Sequence, residues 1–212
     1  IYTGEDTLSL HDALPISVTL QLSGEEMDQG HERVLIADAA CQRWTFTGVT
    51  GPVVPSLLRD FSAPVILDYQ STDQDLLFLM QHDNNGFNRW LSAQTLFERV
   101  LLTMIANLET GKPVFDGVAL AAIVDALGQF MPTLAAADAA LAAKILALPS
   151  ENYLAEKTPV INPGSIHQAR KTLQQAIAGH LHAFFASHYN NTPVQSVYVY
   201  SSTEIAARSW RR

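Results

Sequence analysis

Cysteine is nearly missing: Cys41 stands alone in 212 residues. One thiol excludes an internal disulfide framework and any cysteine-cluster zinc site, and it fits a reducing compartment. Beside an alternating run through Trp44 and Phe46, it reads as a core or edge thiol rather than a nucleophile. Basic charge is scarce too. Lys and Arg total 13 against 21 Asp and Glu, a net charge of −8. That balance argues against non-specific nucleic-acid binding and against docking on anionic lipid. No unbroken apolar run reaches the ~18 residues that span a bilayer. Asp125, Asp138 and Lys144 interrupt the most apolar stretches, so a soluble protein without a membrane partner is expected. No basic segment followed by an apolar one opens the chain, and a secretory signal is not expected.

Chemistry-bearing motifs are absent as well. An H-E-x-x-H helix holds zinc because histidines at i and i+4 share one face. The nearest string, His31-Glu32-Arg33-Val34-Leu35, has leucine in the second position and sits in a loop-to-strand region. His180, His182 and His188 fall in one helical pattern, but the first two project about 200° apart and the third lies two turns on. Asp73 and Asp75 suit the first turn of a helix, where acids favour the positive dipole end, better than a catalytic dyad. His82-Asp83 has no G-x-S-x-G nucleophile to serve, and capping or loop polarity explains it. Arg208, Arg211 and Arg212 make a small basic end, too small for a nucleic-acid patch. No glycine loop of the phosphate-cradling type occurs. No residue is therefore assigned as catalytic, cofactor-binding or metal-ligating.

What is present is a globular composition, 48% hydrophobic and 16% charged, long enough for one sizeable core or two small ones. Alternation over Val18–Leu22, Val34–Ile36, Cys41–Thr47, Val53–Arg59 and Val65–Tyr69 predicts about five short strands at sandwich-like spacing. Turn and loop residues fill 23–32, and Gly48 and Gly51-Pro52 break the runs. Near Tyr69 the hydrophobic period changes from two to 3.6. Thr72, with Asp75 three residues on, reads as a capping box. Leu76, Leu77, Leu79 and Met80 supply the first helical face. After the loop Asp83–Gly86, a long helix follows with Phe87, Trp90, Leu91, Gln94, Phe97, Leu101, Met104, Ile105 and Leu108 on one side. Gly111 closes it and Pro113 prevents continuation.

A helix from Asp116 to Met131 is expected to stop at Pro132. Thr133 is expected to cap an Ala-rich helix through Leu148, and Ser150 a short one. Asn162-Pro163 opens a long helix with Ile166, Leu173, Ile177, Leu181, Phe184 and Phe185 inward. Tyr189–Pro193 ends it, Val194–Tyr200 reads as an extended connection, and a last helix starts at Thr203. Consecutive helix pairs without a strict repeat suit an α-solenoid-like layer.

Two collinear runs carry a resemblance. The first is Ser56-Leu57-Leu58-Arg59-Asp60-Phe61-Ser62-Ala63-Pro64-Val65, with Phe78–Asp83 and Phe87–Trp90. The second is Leu141–Glu151, with Leu154-Ala155-Glu156 and Ile161-Asn162-Pro163. Together they resemble bacterial aminopeptidase N, a zinc metallo-aminopeptidase of the membrane alanyl aminopeptidase type, over residues 17–212.

The resemblance implies an α+β multidomain fragment. Residues 17–70 would be the end of an Ig-like β-sandwich, and 71–212 the start of a superhelical, ARM/HEAT-like helical bundle. It implies Zn²⁺ in the parent enzyme but not here, because the family's H-E-x-x-H and Gly-x-Met-Glu-Asn segments do not occur. Peptide substrates and intramolecular contact with a catalytic domain are likewise implied, as is a cytoplasmic location. The helical part would close as a lid over the catalytic domain. Residues 1–16 do not resemble the family and look adaptor-derived, so they are expected to be poorly ordered. The alternative is a non-enzymatic helical-repeat interaction module with a β-sandwich cap, which composition and periodicity fit equally well.

Overall fold

Short alternating runs need partners to become strands, and a three-stranded antiparallel sheet supplies them in the computed structural model. That structure describes residues 4–11, 21–23, 31–49, 51–114, 117–191 and 198–210. Strand β1 (Gly4–His11), β2 (Gln21–Leu22), β3 (Glu32–Ala37), β4 (Phe46–Thr47) and β5 (Val54–Leu57) are followed by helices. The larger sheet has the order β3-β1-β5, and β2 pairs with β4. Thr7 stands opposite Val34, and Leu8 stands opposite both Arg33 and Leu57.

The expectation that residues 1–16 stand outside the fold is thus corrected for Gly4–His11, which form the central strand. Pairing needs only backbone donors and acceptors, which every non-proline residue carries, so the two neighbouring strands can hold this stretch whatever its side chains are. The rest of 1–16 lies outside the described residues, as do the expected strand at 18–20, the loop at 24–30 and the connection at 194–197.

Leu35 is the buried centre of the β layer, with Trp44, Phe46, Val49, Val53 and Leu57 packed against it. Trp44 and Phe46 therefore do share an inward role, although only Phe46 and Thr47 of the expected Cys41–Thr47 strand are paired. Cys41 is exposed in the bend where Asp38 N donates to Gln42 Oε1 at 3.1 Å. It is neither a core nor an edge thiol. Val65–Tyr69, expected as a strand, belongs to no strand or sheet: alternation prepares a strand, but a neighbour's ladder must complete it.

Helix α1 (Asp73–His82) starts as the sequence indicates. Thr72 Oγ1 accepts from Asp75 N at 3.1 Å, and Asp75 Oδ2 accepts from Thr72 N at 3.0 Å. Helix α2 (Gly86–Glu109) buries Leu96, Phe97, Leu101, Met104 and Ile105, while Leu91 is exposed. Gly111, at φ +67°, is the left-handed residue that closes α2 at no steric cost.

Helix α3 (Gly117–Ala137) runs through Pro132 instead of stopping there. A proline ring crowds the carbonyl four residues back, which here belongs to Gly128, and the flanking Met131 and Leu134 are buried. Burial of that face outweighs the local cost. Its Leu120–Ala137 span is long and apolar enough to cross a bilayer by composition, but 44% of it is buried in the fold.

The cap of α4 (Ala139–Leu146) is Asp138, not Thr133, with Oδ1 accepting from Leu141 N at 2.9 Å. Ser150 caps α5 (Glu151–Lys157) and Asn162 caps α6 (Pro163–His180), as read from the sequence. The expected single long helix divides at Leu181 into α6 and α7 (His182–Asn191). No residue of α7 is buried; Phe184 and Phe185 are half-covered, near Trp210 of α8 (Ser202–Trp210).

The chain divides into two compact units, Ile1–Ser92 and Ala93–Arg212. This division lies inside α2, beyond the change of rhythm near Tyr69. Side-chain bonds holding α1 and the start of α2 to β5 account for the difference.

Candidate functional site

Those bonds converge on one buried cation. Arg59 follows β5 in a single 3-10 turn (Arg59–Phe61) and is 3% exposed. A guanidinium can be buried only with partners on its donors. Nη1 donates to Asp83 Oδ1 at 2.7 Å and to Ser56 Oγ at 2.9 Å. Nη2 pairs with Glu32 Oε1 at 2.7 Å and also donates to Asn84 Oδ1. Ser56 Oγ in turn donates to Asp83 Oδ2 at 2.6 Å and accepts from Asn88 Nδ2 at 2.7 Å. Asn88 Nδ2 also donates to Leu57 O at 3.0 Å.

Asn85 N donates to Asp83 Oδ1 at 2.8 Å, Asn85 Nδ2 to Asp60 Oδ1 at 2.7 Å, and Asn88 N to Asn85 Oδ1 at 3.0 Å. Arg89 closes the open end of α1, with Nε donating to Met80 O at 3.0 Å and Nη2 to Gln81 O at 3.1 Å. β3, β5, the turn, α1 and the first turn of α2 thus meet in one network.

The backbone around Arg59 is unusual. Leu58, Asp60 and Phe61 have φ of 52°, 53° and 58°, the left-handed region that costs a side-chain-bearing residue roughly 1–2 kcal/mol. Non-glycine strain of this kind persists where the surroundings over-determine it. Here the bonds to Arg59 and Asp60 do so. The resulting turn leaves Phe61 exposed, with its ring 4.2 Å from that of Phe87, which lies 5.5 Å from Trp90. Arg59 Nε and Asn88 Oδ1 are buried without a protein partner.

The residues weighed from the sequence lie elsewhere or act otherwise. Asp83, expected to be a loop or capping residue, is 2% exposed and is the anion of the buried pair. Its partner lies 24 positions away, which no local pattern reveals. Glu32 of the H-E string is the second anion on Arg59, while His31 is exposed. Asp75 completes the Thr72 cap. His180 Nε2 lies 3.6 Å from Asp125 Oδ1, and the His188 ring lies 5.1 Å from that of Trp210. Arg208 sits 4.7 Å over the Tyr198 ring. Among the described residues no three His, Cys, Asp or Glu side chains are grouped to hold a metal. The zinc implied by the resemblance finds no fitting donor set there.

Within the helical unit, Tyr153 Oη donates to Glu98 Oε2 at 2.5 Å, and Lys157 Nζ lies 3.7 Å from Glu98 Oε1. The hydrogen bond to Glu98, desolvation and the Glu98 charge push the Tyr153 phenol above its ordinary pKa. The charges of Glu98 and then Tyr153 raise that of Lys157. A groove of about 490 Å³ between α4, α6, α7 and α8 is lined by Leu146, Arg170, Ile177, Phe185 and Trp210 among others. Arg170 Nε is committed to Pro149 O at 2.9 Å. The hub, not this groove, concentrates buried polar chemistry.

Comparison with known proteins matches the order of a strand-bearing segment followed by helices. A family model described as "Domain of unknown function (DUF3458_C) ARM repeats" matches residues 73–212, and one described as "Domain of unknown function (DUF3458) Ig-like fold" matches 5–70. Aminopeptidase N of Escherichia coli (strain K12) is 35% identical over 96% of this chain and 22% of its own. Aminopeptidase N of Haemophilus influenzae is 33% identical over 96% of this chain and 22% of its own. The chain therefore spans about a fifth of the length of these curated relatives.

The crystal structure of Legionella pneumophila aminopeptidase A in complex with aspartic acid is similar in fold. Its TM-score is 0.67 at 22% identity, covering 98% of this chain and 23% of that one. An Ig-like segment followed by helical repeats is what the two family models describe in sequence order. The chain belongs to the DUF3458_C ARM-repeat family, preceded by its Ig-like DUF3458 partner, and is similar to the matching fifth of aminopeptidase N.

Proposed function

We propose that this chain is the non-catalytic joint of a zinc-dependent aminopeptidase that hydrolyses N-terminal residues from peptides. The catalytic motifs would lie in the part of the parent protein outside this chain, and this part would hold the helical lid in position over them. The observation that carries the reading is the buried Arg59–Asp83–Ser56–Asn88 network. It ties the last paired strand of the Ig-like segment to the first two helices of the ARM-repeat segment. A partly buried charge network of fixed geometry suits a rigid joint, because every donor direction of a guanidinium is set by its plane.

Two measurements test this. The 212-residue chain, incubated with an alanyl chromogenic amide and Zn²⁺, is expected to release no chromophore; turnover by the pure chain would overturn the assignment. In the full-length protein, Arg59→Met is expected to lower kcat/KM for peptides, with both kcat and KM moved and zinc content unchanged. An unaltered kcat/KM in a folded Arg59→Met protein would remove the positioning role.

A further inference from the structure

The groove between α4, α6, α7 and α8 has a polar end and an apolar end, and the buried hub accounts for neither. Along α6, Arg170, Gln174, Ile177 and Ala178 line one wall. They stand at i, i+4, i+7 and i+8, the spacing of one helical face. The wall therefore runs from a guanidinium through an amide to aliphatic groups. Leu146 of α4, Phe185 of α7 and Trp210 of α8 line the other sides.

Both ends are held in place. Arg170 Nε donates to Pro149 O at 2.9 Å, and Pro149 is buried. A guanidinium is planar, so one anchored N–H constrains the directions of the other four. Among the described residues no acceptor or carboxylate is paired with Arg170 Nη1 or Nη2. At the apolar end, the Trp210 indole lies 5.1 Å from the His188 ring, 5.8 Å from Phe184 and 6.3 Å from Phe185. Three rings around one indole make a rigid wall.

Size, charge and shape select the occupant. The volume is about 490 Å³, inside the range of roughly 300–1,000 Å³ found for small-molecule sites. The paired N–H groups of a guanidinium match the two oxygens of a carboxylate. A phosphate would need further donors, whereas Leu146, Leu148 and Ile177 stand nearby. A second groove, of about 640 Å³, shares Trp210 but carries Asp138 and a row of alanines. Its carboxylate would repel the ligand that Arg170 attracts.

We propose that the first groove binds a free, small, apolar monocarboxylic acid. Its carboxylate pairs with Arg170 Nη1 and Nη2, and its aromatic or branched aliphatic body lies against Ile177, Phe185 and Trp210. The proposal uses only residues of the Ala93–Arg212 unit, so it stands apart from the peptidase reading and from the role of Arg59.

Ligand-observed NMR titration of phenylbutyrate against the 212-residue chain and against the full-length protein tests it. A Kd of about 1 mM or tighter is expected in both, with phenylbutyramide about tenfold weaker or more, because the amide cannot form the charged pair. In Arg170→Gln the acid and the amide are expected to bind equally, which general damage to the fold would not produce. Where that variant does not fold, the acid-to-amide ratio of the wild type decides. Equal binding of acid and amide by the wild type, or binding of neither, would overturn the proposal. So would binding by the 212-residue chain that vanishes in the full-length protein, since the rest of the parent would then cover the groove. Tighter binding of acetyl-alanyl-phenylalanine than of phenylbutyrate would overturn it as well, because the occupant would then be a peptide end.

Discussion

Replacing Asp83 by Asn perturbs the hub at its most committed atom pair. Asp83 uses both oxygens: Oδ1 accepts from Arg59 Nη1 and Asn85 N, and Oδ2 accepts from Ser56 Oγ. An asparagine keeps one acceptor and turns an NH₂ toward a hydroxyl that already accepts from Arg59 and Asn88. Arg59, 3% exposed, then keeps only Glu32 as a counter-charge, and that carboxylate is 43% exposed.

Breaking a buried ion pair from one side costs about 3–5 kcal/mol. With an m-value of about 1.5 kcal/mol/M in urea, the transition of the Ile1–Ser92 unit should move down by roughly 2–3 M. Trp44 and Trp90 report that unit, and a Trp210→Phe background silences the third tryptophan. Arg59→Met should cost a similar amount. The double variant Arg59→Met/Asp83→Leu should be less damaged than the sum of the two single changes by about 1–3 kcal/mol. Single-variant costs below about 1 kcal/mol, adding independently, would mean that the pair contributes no more than a surface bridge, and the joint would lose its physical basis.

Three further outcomes are expected. Thr72→Ala removes the Oγ1 acceptor of the capping box and should cost about 1 kcal/mol, read from the same urea transition; no change would mean the cap is replaced by solvent. Leu127→Ala empties a fully buried site in α3 and should cost about 2–5 kcal/mol in the Ala93–Arg212 unit, checked by circular dichroism melting. Tyr153 should titrate later than an ordinary tyrosine, because its hydroxyl donates that proton in a hydrogen bond to the Glu98 carboxylate. Its folded pKa is raised, so its contribution to stability is present below the unfolded value near 10.0 and fades as pH rises through the folded one. Tyrosinate absorbance with and without Glu98→Gln should show the shift disappear with the carboxylate.

Much of the helical part was legible because its signals are local. Thr72 and Asp75, Ser150, and Asn162 with Pro163 satisfy amides within three residues of themselves, so their spacing alone identifies helix starts. The Phe97, Leu101, Met104 and Ile105 stripe follows from period 3.6 and is buried. The strands were less legible. Val65–Tyr69 alternates as well as any run in the chain, yet lacks a ladder, while Gly4–His11 found two. The hub itself was illegible as a site. Ser56, Arg59, Asp83, Asn88 and Arg89 all fall within the runs that carry the aminopeptidase N resemblance, but nothing in their spacing says that they touch.

The amino-acid order alone therefore determined where the backbone changes from strand rhythm to helical rhythm, and which caps start α1, α5 and α6, because those interactions close over a few residues. The folded arrangement decided that α3 continues through Pro132 and that Asp83 is a buried anion rather than an exposed loop carboxylate. Each of those outcomes depends on a partner distant in the chain, whose burial or pairing energy exceeds any local preference.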